Sequence, residues 1–156
     1  LYCKGKLFSM CTNAAINIDS DKAGYILDIC HSCSVNVFTF ALSNKSADFV
    51  ATNEEFFIRD GMRTKYTLCT KDAGAHEIEV SVPGKFSIFN SLCACTVGSI
   101  YSTSIESMKK ALSDVKVIGR IEQVTNKHCK APVIIDYAHN AVSLESLFTS
   151  WDTISR

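Results

Sequence analysis

Neither sign of charge dominates this chain: 16 Lys and Arg balance 16 Asp and Glu, for a formal net charge of zero. That balance removes the electrostatic footprint of a nucleic-acid binder or of a protein held to an anionic membrane. No apolar run approaches the roughly 18 to 20 residues needed to cross a bilayer, and no signal-peptide pattern opens the sequence. A cytoplasmic setting is the expectation. Internal repeats and low-complexity tracts are also missing. So is any G-x-x-x-x-G-K-S/T, the loop whose backbone amides cradle phosphates.

What remains is the material of an ordinary folded domain. The length of 156 residues, with 47% apolar and 21% charged residues, suffices for a real core. Eight cysteines raise the question of a disulfide framework. Cys30 ends a helical stripe, Cys69 lies in a strand-like run, and Cys93 and Cys95 sit in Leu92-Cys93-Ala94-Cys95, so they read as reduced, buried, small hydrophobes. Cys30-His31-Ser32-Cys33 is the one C-x-x-C. A zinc or redox role there needs a second ligand pair or a thioredoxin-like setting, and the sequence offers neither.

Hydrophobic periodicity sets the element order. Residues 1–11 predict a short helix and residues 14–19 a strand, with Asp19 or Ser20 as the cap of the next helix. Ala23, Ile26, Leu27 and Cys30 fall on one helical face, and a β-branched and aromatic run follows at 35–42. Residues 14–42 thus predict a βαβ unit in a parallel sheet. From Asp48 the pattern changes to strands at 49–52, 55–59, 65–70 and 77–82, punctuated by Asp60-Gly61 and Asp72-Ala73-Gly74. This is an antiparallel meander, closed by Pro83-Gly84. An unusually apolar helix is expected over 86–100, with Phe86, Phe89, Cys93 and Val97 on one side and Asn90 among them. Thr103 and Glu106 predict a capping box for a helix carrying Ile105, Met108, Leu112 and Val115. A linker (117–120), a strand (121–124) and a loop (125–131) then precede the last elements.

Those last elements concentrate the chemistry. In Val133-Ile134-Ile135-Asp136-Tyr137-Ala138-His139-Asn140 an apolar run meets three polar side chains, and a helix marked by Leu144, Leu147, Phe148 and Trp151 follows. The order predicts a buried strand with Asp136 and His139 at its carboxyl end, where open α/β sheets bind ligands. Local pattern alone leaves a second reading open, in which Asp136 only caps the helix.

Taken together, Gly84-Lys85-Phe86-Ser87-Ile88-Phe89-Asn90, Gly119-Arg120-Ile121-Glu122 and Asp136-Tyr137-Ala138-His139-Asn140 followed by Ser143-Leu144-Glu145 resemble the Mur ligase family. The likeness is nearest to the branch that joins a third amino acid to UDP-N-acetylmuramoyl-L-alanyl-D-glutamate. It extends to Cys3-Lys4-Gly5-Lys6-Leu7-Phe8 and Asn17-Ile18-Asp19. The implied fold is α/β: the later part of the Mur ligase central ATP-binding domain (residues 1–117), a mixed sheet with an antiparallel meander. A hinge near Ile118 and the first β-β-α segment of a C-terminal Rossmann-like domain (118–156) complete it.

The resemblance also implies roles. Family members use ATP and Mg2+ to activate a substrate carboxylate as an acyl phosphate, which an amine attacks to form an amide. Lys4 matches the lysine carried as a carbamate that helps hold magnesium; a solvated helix lysine is the alternative. Asn90 matches the adenine-contacting amide, Arg120 the phosphate-binding guanidinium, and Asp136 the acid that accepts from ribose hydroxyls. His139 lies beside it, near the reacting phosphate. Ser87 stands where the family usually has Asn, Ile118 where a Pro often precedes Gly-Arg, and Ala141 where Pro often follows.

The missing phosphate loop, together with a first residue Leu1 in a predicted helix, implies an excised middle piece of a cytoplasmic peptidoglycan-precursor ligase, inactive by itself. Its partners in the intact enzyme would be the UDP-N-acetylmuramoyl dipeptide and an amino acid, meso-diaminopimelate or L-lysine. A folylpolyglutamate or cyanophycin synthetase shares part of the pattern, and a non-catalytic nucleotide-binding module is the alternative from another class. A truncated parallel sheet leaves a strand edge without its neighbour, and such edges recruit other chains. Self-association is expected: light scattering at rising concentration should show mass above the monomer, and a strictly monomeric profile would contradict it.

Overall fold

The computed structural model describes residues 2–59, 61–124 and 133–154. The predicted loop over 125–131 and Cys129 lie outside the described residues.

Short α1 (Tyr2–Phe8) precedes β1 (Asn13–Asn17), α2 (Ala23–Ser32) and β2 (Asn36–Ala41). β1 and β2 pair in parallel from Asn13 opposite Asn36 to Asn17 opposite Phe40, so the expected βαβ unit is present. Ala23 and Cys30 are buried, and Ile26 and Leu27 pack with them against Ala14, Ile16 and Val35. The expected cap is not used. Lys22 occupies the N-cap of α2 without a side-chain bond: Ser20 Oγ accepts the N–H of Lys22 itself at 3.3 Å, and Asp19 is engaged elsewhere. Its carboxylate accepts from the backbone N–H groups of Leu42 (2.7 Å), Ser43 (2.9 Å) and Asn44 (3.0 Å), tying the ends of the two parallel strands together.

Three further strands complete one five-stranded sheet in the order β1-β2-β3-β4-β5, with β3 at Phe49–Ile58, β4 at Met62–Thr70 and β5 at Gly74–Val80. β3 runs parallel to β2 and antiparallel to β4, and β5 is antiparallel to β4. The sheet is therefore mixed, as expected. The strands predicted at 49–52 and 55–59 are one strand instead. Its register shifts between Thr52 and Glu55, with Asn53 at φ +54°. A β-bulge keeps pairing while bending the strand, and sequence alternation reads that slip as a gap.

α3 (Lys85–Ile100) lies on this sheet. It buries Ile88, Leu92 and Cys95 against Tyr66, Leu68, Ile78 and Val80, with Met108 of α4 (Ile105–Asp114) completing the core. Each such fully buried apolar side chain stabilises by about 1.5–3 kcal/mol. The row of Phe86, Phe89, Cys93 and Val97 splits: Phe89 and Cys93 pack against the core, while Phe86 is 53% exposed and Val97 41%. The helix is apolar nearly all round, so its periodicity cannot select a face, and the buried one includes Ser87, Ser91 and Thr96. Their hydroxyls are satisfied three or four residues back along the chain, on the carbonyls of Pro83, Ile88 and Leu92. Tyr66 shares a 2.9 Å bond with Ser91, and burial pushes its phenol far up from the ordinary value. α4 is capped by Ser104, whose Oγ accepts from Ser107 N–H, one residue later than expected. Its stripe of Ile105, Met108, Leu112 and Val115 does face the core.

After α4 the chain forms β6 (Glu122–Val124), β7 (Val133–Ile135) and α5 (Ala141–Ile154). β6 and β7 make a separate antiparallel ribbon. The strand expected to be buried is open: Val133 is 40% and Ile135 49% exposed. A two-stranded ribbon has no second layer to cover it.

The cysteines of the described residues are all free, with Cys30 and Cys95 buried and Cys3 and Cys33 exposed. Burial pushes the Cys95 thiol up to about 11, which leaves it protonated and inert at neutral pH. Among the described residues no helix is long and apolar enough to cross a membrane.

Three carboxylates lie below their ordinary range despite burial, which opposes the shift. At Asp19 the three amides and the charge of Lys85 outweigh it. At Asp48 the bonds from Lys71 and Thr39 do so, and at Glu79 those from Arg59 and Arg63. A depressed folded-state pKa contributes stability above the unfolded value and loses it as pH falls. The thermal midpoint, followed by circular dichroism, should hold from neutrality to about pH 5 and drop below about pH 4. Asp19→Asn should lower it at neutral pH and flatten the acid slope.

Candidate functional site

The start of α3 is fixed by two features that the apolar pattern does not contain. Gly84 precedes the helix at φ +98° and ψ 158°, a region open essentially to glycine alone. Its N–H donates to Oγ1 of Thr64 at 3.1 Å, and Thr64 is fully buried in β4. The meander thus aims the helix start, and with it the exposed side chains one turn further on. Ser87, the departure from the family pattern, is buried and donates to Pro83 O. It closes the helix start and also lines the cleft that opens beside it.

Across from α3 lies the turn after the linker. Ile118 is 92% exposed. Gly119 at φ +71° and Ile121 at φ +44° are both left-handed. For a β-branched residue such a conformation is strained by about 1–2 kcal/mol. Hydrogen bonds offset that cost. Asp136 Oδ2 accepts from Ile121 N–H at 2.8 Å and Oδ1 from Ala138 N–H at 2.7 Å. Gly119 O accepts from Tyr137 N–H at 2.8 Å. Asp136 is therefore no helix cap; that place belongs to Asn140, whose Oδ1 accepts from Ser143 N–H at 2.9 Å. A carboxylate oxygen has two lone pairs, so each oxygen of Asp136 can accept a further bond. His139 is exposed, its Nδ1 2.9 Å from Tyr137 O, which places the proton on Nδ1 and leaves Nε2 as an acceptor. Its ring meets Tyr137 edge-on at 5.0 Å.

Between these two walls is a cleft of about 570 Å³. Asn90 from α3, Arg120 from the linker turn, Asp136 from the strand tip and His139 beside it all line it, with Phe86 and Tyr137 as aromatic walls. Its size and its mix of apolar surface with a few polar groups suit a ligand of nucleotide dimensions. The Arg120 guanidinium has no hydrogen-bond or ion-pair partner among the described residues, so its five donors are free for an anion. Lys4 is not part of this cleft. It is exposed on α1, which packs on α2. Phe86 was not among the expected site residues, because an aromatic in an apolar run reads as core, while Tyr137 stands in the segment where the sequence concentrates its polar groups.

Solved ligase and synthetase structures share this architecture. A solved UDP-N-acetylmuramoyl-L-alanyl-D-glutamate--2,6-diaminopimelate ligase superimposes with a TM-score of 0.78 at 16% identity, over 98% of this chain and 31% of that one. Folylpolyglutamate synthetase from Lactobacillus casei gives 0.76 at 15% identity, over 98% and 40%. These likenesses define the fold class. Sequence defines the family: the pattern described as Mur ligase middle domain matches residues 1–98, and the chain belongs to the Mur ligase family. It is 34% identical over 147 residues to UDP-N-acetylmuramoyl-L-alanyl-D-glutamate--2,6-diaminopimelate ligase 2 of Clostridium acetobutylicum, covering 92% of this chain and 28% of that protein. It is 32% identical over 102 residues to the corresponding L-lysine ligase of Streptococcus sanguinis, covering 65% and 21%. The chain thus spans under a third of the length of these relatives.

Thr64→Val keeps the shape of the side chain but leaves the buried Gly84 N–H without an acceptor. Urea unfolding should show a loss of about 1–3 kcal/mol, with Thr64→Ser losing less. An unchanged midpoint in Thr64→Val would show that the bond does not fix the helix start.

Proposed function

We propose that this chain is part of an ATP-dependent, ADP-forming ligase of peptidoglycan-precursor synthesis, one that joins a diamino acid to UDP-N-acetylmuramoyl-L-alanyl-D-glutamate in the cytoplasm. One observation carries the reading: an amide, a guanidinium and a carboxylate from three separate elements line a single cleft. The names of the Clostridium and Streptococcus relatives supply the substrate class, 2,6-diaminopimelate in one and L-lysine in the other. A folylpolyglutamate synthase of Mycobacterium tuberculosis with the same fold, at a TM-score of 0.71 and 17% identity, was solved with ADP and AMPPCP.

Within the cleft Asn90 would read the adenine edge, because an amide both donates and accepts. Asp136 would accept from ribose hydroxyls, and Arg120 would pair with phosphate oxygens. His139 would stand beside the reacting end, with Nε2 able to hold a proton. ATP supplies the phosphoryl group that activates the substrate carboxylate. We place the division between the two domains at 117/118, where α4 has ended and Ile118 is exposed. Lys4 is retained as the carbamate candidate on its match to the family's lysine. Magnesium is a different matter: among the described residues no group of His, Cys, Asp and Glu could hold a metal ion.

Titrating the 15N-labelled chain with ADP should move the amides of Asn90, Gly119, Ile121 and Ala138 together. The affinity should be far weaker than micromolar, since the sequence holds no phosphate loop. Arg120→Ala should weaken it about tenfold, as losing a charge-assisted contact does. Shifts scattered outside the cleft would overturn the nucleotide reading, and micromolar ATP binding by calorimetry would contradict the part played by the missing loop.

A further inference from the structure

Arg120 reaches the cleft from a turn that is fastened on both sides, and only one of the fastening carboxylates faces the ligand. Asp136 holds the amide after Arg120, that of Ile121, at 2.8 Å. The amide before it, that of Gly119, donates to Oε2 of Glu122 at 3.0 Å. Arg120's own N–H goes to Val117 O at 3.1 Å, and Gly119 O takes the Tyr137 N–H at 2.8 Å. The backbone of this turn is consequently specified bond by bond, with two left-handed residues flanking the arginine. Its guanidinium, by contrast, has no polar partner among the described residues.

Glu122 is set apart from the other polar residues by where it lies. It does not line the cleft that holds Asn90, Arg120 and Asp136. It lines a second cavity, with Arg63, Ser113 and Lys116. A ligand in the first cleft therefore has no direct use for its carboxylate.

We propose that Glu122 is a positioning residue for Arg120: by accepting the Gly119 amide it holds the left-handed turn that presents the guanidinium to the anionic groups of a nucleotide. The inference rests on the nucleotide reading of the cleft and adds to it a residue that acts from outside. The bond needs an acceptor oxygen next to the Gly119 amide, and the negative charge strengthens it. Glu122→Gln keeps the oxygen, while Glu122→Ala removes it.

Four chains are compared by NMR at equal ADP concentrations: wild type, E122A, E122Q and R120A, with the R120A/E122A double variant as the fifth arm. In E122A the Gly119 amide should exchange with solvent at least about tenfold faster, and ADP should bind about five- to tenfold more weakly. E122Q should stay within about threefold of wild type in both readouts. In the R120A background, adding E122A should cost no further affinity, because a residue acting through another has nothing left to position. Unchanged Gly119 exchange in E122A, or an additive loss in the double variant, would overturn the proposal. A fall in the thermal midpoint of E122A with ADP affinity unchanged would reduce Glu122 to a structural role and also overturn it. Should R120A bind ADP as wild type does, or wild type not bind at all, the nucleotide reading fails. The relaxation of the Arg120 Nε–H then decides the positioning claim alone, and equal mobility in wild type and E122A would sink it.

Discussion

The packing of α3 on the mixed sheet is the constraint from which the site follows. Ile88, Leu92 and Cys95 interlock with Tyr66, Leu68 and Ile78, and a helix has only one rotation that brings those three inward. Once that rotation is set, Asn90 faces outward and lines the cleft together with Phe86 and Asp136. The small hydroxyls of Ser87, Ser91 and Thr96 lie on the buried side because they can bond three or four residues back along the chain. Among the described residues no buried side-chain polar atom lacks a partner, which is the condition for packing such a helix closely.

A second regularity concerns carboxylates spent on backbone amides. Asp19 closes the parallel pair by taking three N–H groups. Asp136 takes two, and Glu122 one, around the turn at Arg120. Each of these acids stabilises irregular backbone of the kind that neither helix nor sheet can satisfy. In Asp136 the same group serves geometry and, on the reading proposed above, ligand recognition. That combination explains how a strained residue such as Ile121 persists at the edge of the cleft: the surrounding bonds determine its conformation more strongly than its own preference does.

The sequence was most legible where a period meets a single buried surface. The stripe of Ala23, Ile26, Leu27 and Cys30 and that of Ile105, Met108, Leu112 and Val115 both face the core as their spacing requires. It was least legible where several surfaces compete. α3 is apolar on most sides, so the Phe86, Phe89, Cys93 and Val97 row looked as good as the one actually buried. Cap positions were displaced because Asp19 found better partners in a distant loop than in the helix beside it, and Ser104 took the place expected of Thr103. The strand at Val133–Ile135 looked buried on composition alone, yet its antiparallel partner gives it no covering layer.

Composition, periodicity and the three polar segments were enough to determine an α/β chain, its βαβ opening, its meander and its place among the Mur ligases, because each of these depends on residues near one another in the chain. Which face of α3 is buried, where the bulge in β3 falls, and that Asn90, Arg120 and Asp136 share a cleft from which Lys4 is absent were decided by tertiary structure. The physical reason is the same in each case. Local pattern records what a residue can do, while hydrogen bonds and contacts between residues tens of positions apart select which of those options leaves the fewest buried groups unpaired.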